Sequence, residues 1–132
     1  MSQENVEVVR QIYDATRRGD LDAFIALHDP NATVTPLILN IEGRAYRGHE
    51  GVRRFWDEIH SAFPDWRWEA ESVRASGQVA LVSVRICGRG VGSGAMIDQR
   101  GWHVLKFRTG KVTWWQIFGS ESEALEAVGL RE

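Results

Sequence analysis

Gly101-Trp102-His103-Val104-Leu105-Lys106-Phe107-Arg108-Thr109-Gly110-Lys111-Val112-Thr113-Trp114-Trp115-Gln116-Ile117-Phe118 reads as two strands joined at Thr109-Gly110. β-branched and aromatic residues run on both sides of a short turn, the signature of an antiparallel hairpin. Side chains alternate faces along a strand, so a His103 that faces inward has Gly101, Leu105 and Phe107 beside it. Trp102, Val104 and Lys106 then lie on the other face. Trp114 and Trp115 are adjacent and must point to opposite sides. Alternation alone leaves open which is inner; Trp114, with Gln116 and Phe118, is assigned to the inner face.

The first strand of this hairpin extends back to Ile97, and two more strands precede it. Trp66, Trp68, Ala70 and Ser72 alternate with Arg67, Glu69, Glu71 and Val73, and Val79–Arg89 follows after a loop at Ser76-Gly77-Gln78. Glycines at 88, 90, 92 and 94 predict a bulge or sharp bend where the sheet curls. Further upstream the apolar period changes from two to about 3.6. Val6, Val9, Ile12, Tyr13 and Thr16 form one helical stripe, closed by Gly19. Asp20 caps a second helix, Leu21–His28, whose stripe Leu21, Phe24, Ile25 and His28 points His28 inward. A turn at Asp29-Pro30-Asn31 and a short strand Ala32–Thr35 follow. Leu37–Arg47 is irregular, with an apolar first half that suits a flap over a pocket or a short buried strand. Gly48–Phe63 is the third helix, with Val52, Phe55, Trp56, Ile59 and Phe63 as its stripe and Pro64 as terminator. Ser120-Glu121-Ser122-Glu123 is a capping box for a last helix through Leu125 and Val128, ended by Gly129.

Helices followed by mainly antiparallel strands give an α+β domain in which N-terminal helices close over one curved, cone-like sheet. That layout predicts a hydrophobic cavity within a single domain spanning residues 1–132. Apolar residues at 43% and charged residues at 26% are ordinary for a globular chain and argue against disorder. The net charge of −2 comes from interspersed signs, so the basic footprint of a nucleic-acid binder is missing. No apolar run approaches a membrane span and no export signal precedes the first helix, so a cytoplasmic protein is expected. The lone Cys87 fits a reducing compartment. No pair of histidines has helical metal-site spacing, and neither a metal nor another cofactor is expected.

Several blocks resemble a known family: Val8-Val9-Arg10-Gln11-Ile12-Tyr13, Gly19-Asp20-Leu21-Asp22, Ala32-Thr33-Val34, Tyr46-Arg47-Gly48, Phe107-Arg108-Thr109-Gly110-Lys111-Val112 and Glu123-Ala124-Leu125-Glu126-Ala127-Val128-Gly129-Leu130. Together they resemble the SnoaL-like branch of the nuclear-transport-factor-two-like superfamily. These motifs are structural punctuation, so the resemblance implies the cone-shaped fold strongly and an activity hardly at all. The superfamily includes polyketide cyclases, ketosteroid isomerase, limonene epoxide hydrolase and non-catalytic binding modules. Aligned to the isomerase, Ile12 stands where its oxyanion tyrosine would be, Pro36 where its basic aspartate would be, and His103 at its second, oxyanion-side aspartate. His28 and Trp56 fall at two supporting aromatic positions. The resemblance therefore implies no isomerisation by that mechanism. It also implies a cyclase-like acid–base role for His103, and the epoxide hydrolase's Asp-Arg-Asp set has no clear counterpart.

The candidate site follows from both readings. His103 is the catalytic candidate, because an imidazole near pKa 6.5 moves protons at neutral pH and burial favours its neutral form. Ile12, Tyr13, His28, Trp56, Val84, Ile86, Trp114, Gln116 and Phe118 are the expected ligand-binding walls. A hydrogen-bonded core histidine is the competing reading of His103. Asp98 and Arg100 fall on the outer face by alternation. Gly90, Gly92 and Gly94 lack the Lys-Ser/Thr ending of a phosphate loop. The outer tryptophan, with Trp102 and Val104, would form an exposed apolar patch, and such patches mark interfaces; a homodimer is expected. The expected function is binding of a small hydrophobic molecule, with cofactor-independent proton abstraction next to a carbonyl as the chemistry, or a non-catalytic binding or dimeric interaction module of the same fold.

Overall fold

The computed structural model describes residues 3–35, 45–92 and 94–128. Helix α1 (Gln3–Arg18) ends where Gly19, at φ 70, turns the chain. The amides of Gly19 and Asp20 there bond back to the carbonyls of Thr16 and Ala15, a left-handed C-terminal closure that glycine adopts without strain. Asp20 then accepts from the Ala23 amide at 3.1 Å and starts α2 (Leu21–Ala26). Strand β1 (His28–Thr35), the two-residue β2 (Tyr46–Arg47) and helix α3 (Gly48–Ala62) follow. The remaining strands are β3 (Arg67–Ser76), β4 (Val79–Arg89), β5 (Met96–Arg108) and β6 (Lys111–Phe118), before the last helix α4 (Glu121–Val128).

The six strands form one curved, unclosed sheet in the order β2-β1-β6-β5-β4-β3, antiparallel except for the parallel pair of β1 and β6. Thr109 (φ 53) and Gly110 (φ 73) both take left-handed backbone at the β5–β6 turn, the geometry whose twist matches paired strands. Helices α1, α2 and α3 pack on one face, burying Val9, Ile12, Phe24, Val52 and Phe55 against Val82, Val84, Leu105 and Trp115. A smaller core lies on the opposite face. There α4 sets Ala124 and Leu125 over Leu81, Val104 and Phe118.

Several expectations need correction. The second helix stops at Ala26, and His28 opens a strand instead of ending the helix, so Asp29-Pro30-Asn31 lies inside β1, where its register against β6 shifts. Gly77-Gln78 is a two-residue turn with Ser76 paired to Val79. Of the bulge or sharp bend expected at the glycines, the bend is what forms, as the β4–β5 connection; Gly92 and Gly94 have positive φ and the Gly90 amide bonds the Ala95 carbonyl. Finally, the apolar patch expected on the outer face is largely covered by α4, leaving Trp102 and Trp114 half-buried. Arg47, placed at the end of an irregular segment, belongs to β2 with Tyr46; Leu37-Ile38-Leu39 and Gly129 lie outside the described residues.

Candidate functional site

Register decides which residues meet inside the sheet. His103 pairs with Val82 on one side and Ile117 on the other, and Leu105 pairs with Trp115. Paired residues share a face, so Trp115, and not Trp114, points inward with His103. Trp115 is fully buried, whereas Trp114 lies on the α4 side with Lys106 Nζ 4.6 Å above its ring. Gln116 and Phe118 follow Trp114 onto that face, so these three assigned wall residues lie on the opposite side of the sheet from His103, with Phe118 buried in the smaller core. The remaining assigned residues, Ile12, Tyr13, His28, Trp56, Val84, Ile86 and His103, are all buried.

His103 is enclosed by aromatic rings. Tyr13 from α1 stacks on it with centroids 5.8 Å apart, and Trp68 and Trp115 meet it edge-on at 5.0 and 5.2 Å. Trp68 of β3 was not among the expected site residues, although its alternation with Arg67 and Glu69 placed it on a face of its own. The Tyr13 hydroxyl lies 2.6 Å from His103 Nδ1 in a fully buried contact. The resemblance to the isomerase put Ile12 at the tyrosine position; the phenol that reaches this centre comes from the next residue of the helix. Ile12 itself is core.

A second imidazole sits behind Trp115. His28 stacks on that indole at 5.7 Å and 12°, touches Phe24 at 4.8 Å, and holds the Phe24 carbonyl 2.8 Å from its Nδ1. His49 donates to the His28 backbone carbonyl at 2.7 Å. Trp56 packs on Phe24 and His60 and does not border His103 directly.

Burial sets the electrostatics. Desolvation disfavours the charged form, pushing His103 down to about 3 and His28 down to about 4. The bond to Phe24 opposes the fall at His28 and the nearby His49 adds to it. The same desolvation raises the Tyr13 phenol well above its ordinary value. At neutral pH all three groups are uncharged. Five buried nitrogens find no partner among the described residues: His28 Nε2, His103 Nε2 and the indole Nε1 of Trp66, Trp68 and Trp115. Buried polar atoms are normally paired, because an unmet one costs about 1–3 kcal/mol. A group of them inside one aromatic cluster is therefore the most informative local feature of the molecule.

The charged residues considered as an alternative set lie elsewhere. Arg85 makes a two-pronged contact with Asp98 at 2.7 Å, and Arg100 reaches Glu71 at 3.1 Å, all exposed on the outer face of β3, β4 and β5. A shallow cleft there, between Asp65, Arg67, Cys87 and Asp98, opens away from His103. Among the described residues no helix is long and apolar enough to cross a membrane.

A curved six-stranded sheet, open at its edges and packed by helices around an aromatic interior, places the molecule in the nuclear-transport-factor-two-like class of α+β folds. Residues 9–115 match the family model of the SnoaL-like domain, and the chain belongs to that family. Solved structures agree. An NTF2-like protein of unknown function from Burkholderia pseudomallei superposes with a TM-score of 0.80 at 22% identity, over 96% of this chain and 97% of that one. TerC, co-crystallised with polyporic acid, gives 0.79 at 16% identity over 96% and 99%. SalBIII, an epoxide hydrolase/cyclase-like enzyme of pyran ring formation in the polyether salinomycin, gives 0.77 at 17% over 91% and 93%. At these identities the likeness shows the fold. No curated protein sequence matches the chain.

Proposed function

We propose that this chain binds a small hydrophobic molecule carrying a carbonyl or similar oxygen, oriented by His103 between Tyr13, Trp68 and Trp115. The observation that carries the reading is a fully buried imidazole whose Nδ1 is engaged by Tyr13 and whose Nε2 has no partner among aromatic walls. Apolar rings supply most of the binding energy in such sites, and a few placed polar atoms fix orientation. That SalBIII and TerC share the fold supports a small oxygenated ligand.

The chemistry this centre suits is polarisation of a carbonyl, which acidifies the adjacent carbon as isomerisation or aldol cyclisation requires, with charge developing on the carbonyl oxygen. Uncharged donors held in a dry, preorganised environment stabilise such an oxyanion without reorganising. His103 serves there as the hydrogen-bond donor; an imidazole pushed to about 3 is a weak base. That same weakness favours a second reading, a non-catalytic binding module. A second copy of the chain is proposed to pack on the outer sheet face beside α4, where Trp102 and Trp114 stay half-buried.

Titrating a panel of small aromatic ketones while following tryptophan fluorescence tests the proposal. Wild type quenches saturably, and a His103→Leu, Tyr13→Phe double variant binds about ten- to a hundredfold more weakly. Removing both partners of the buried pair avoids stranding one of them, so folding is retained. Undiminished affinity in the double variant, or a panel without binders, refutes the reading. For any ketone that is turned over, the same variant separates catalysis from binding by the loss of turnover at saturating ligand.

A further inference from the structure

The two buried imidazoles are held by different partners, and this fixes what each can offer a ligand. A carbonyl oxygen only accepts, so at the 2.8 Å contact with Phe24 the His28 proton must sit on Nδ1. A neutral imidazole has one ring proton, and His28 is neutral at pH 7 because burial holds its pKa at about 4. Its Nε2 is therefore a bare lone pair, buried and without a partner among the described residues. His103 is the opposite case. The Tyr13 hydroxyl has no other partner among the described residues, so it donates to Nδ1, and His103 Nε2 carries the proton. One centre thus has an acceptor and a donor whose rings lie 5.7 and 5.2 Å from the Trp115 indole.

We infer that the ligand is a hydroxy-carbonyl compound: its carbonyl oxygen accepts from His103 Nε2 and a hydroxyl at its other end donates to His28 Nε2. The inference deepens the function proposed above and rests on it. His28 is on this account a specificity-determining residue and not a structural one. A ligand with oxygen acceptors alone leaves the His28 lone pair buried and unmet, and sites built around such a group discriminate strongly against analogues that lack the matching hydrogen.

Two measurements on the whole chain test this. Long-range proton–nitrogen correlation spectra of histidine-labelled protein at pH 7 read the tautomers directly. Protonated Nδ1 with bare Nε2 at His28, and the reverse at His103, is expected; a protonated His28 Nε2 overturns the inference. The second compares 4-(4-hydroxyphenyl)butan-2-one with its methoxy analogue, which are neutral at that pH and differ in the one hydrogen that matters. The hydroxy compound binds about ten- to a hundredfold more tightly, and His28→Phe removes that preference, bringing the two compounds to equal affinity. Equal binding of the two compounds by wild type overturns this inference and leaves the proposed function standing. Failure of both to bind, alongside a ketone panel without binders, overturns both.

Discussion

Lowering the pH should unfold this protein by forcing protons on two rings that the fold keeps neutral. The folded pKa values of His28 and His103 are about 4 and about 3, against 6.5 in the unfolded chain. Above pH 6.5 neither state takes up a proton and the full stability is present. As pH falls below 6.5 the unfolded chain binds two protons that the folded chain does not. Stability is then lost continuously until pH reaches about 4 for His28 and about 3 for His103. Each pH unit costs about 1.36 kcal/mol per histidine, so at pH 4.5 the two together have removed on the order of 5 kcal/mol. Domains of this size have only about 5–15 kcal/mol in total. Urea denaturation followed by circular dichroism at half-unit steps from pH 7.5 to 4.5 measures the slope, expected to approach two protons. His103→Leu, Tyr13→Phe should halve it. The carboxylates Asp14 and Asp98, held low by their arginine partners, lose their ion pairs at lower pH and do not mimic this slope. A stability that stays level between pH 6 and 4.5 would refute the neutral, buried assignment of both rings.

Two further outcomes follow from the register and the surface. Trp115→Ala should cost about 3–5 kcal/mol, as large-to-small changes in a closed core do, while Trp114→Ala on the α4 side costs far less; thermal melts of the two variants compare them directly. A homodimer on the outer face beside α4 predicts twice the chain mass by size exclusion with light scattering at micromolar concentration, and Trp102→Glu should return it to one chain. A wild-type mass of one chain refutes the dimer.

Much of the architecture was written in local patterns, and the interior of the site was not. The Thr109-Gly110 turn and the Asp20 cap are read from short stretches, because their backbone requirements involve only neighbours. The end of α2 was misread because His28 continues the i, i+7 stripe of Leu21. Helical and strand geometries both bury it, and only pairing of β1 with β6 decides between them. Trp114 and Trp115 are equally apolar, so no local pattern separates them; the register of β6 against β5 does. The shift between Lys106 and Phe107 in that register is what sets Trp115 opposite Leu105 and Trp114 opposite Lys106. His103 was legible from its place in mid-strand, whereas its bond to Tyr13, 90 residues away in sequence, depends on how α1 lies across the sheet. The apolar outer face looked exposed because the segment that covers it, α4, follows the sheet in sequence and was read by itself.

The central claim is that unpaired nitrogens around Trp115 receive a small oxygen-bearing ligand. Nitrogen-15 spectra of indole and imidazole groups, recorded while an aromatic ketone is titrated in, test it most directly. The account predicts that the Trp68 or Trp115 indole N–H and the His103 Nε2–H resonances move together and saturate, with the half-buried Trp102 indole on the outer face unaffected. Resonances of the buried rings that stay fixed across the ketone panel would contradict it.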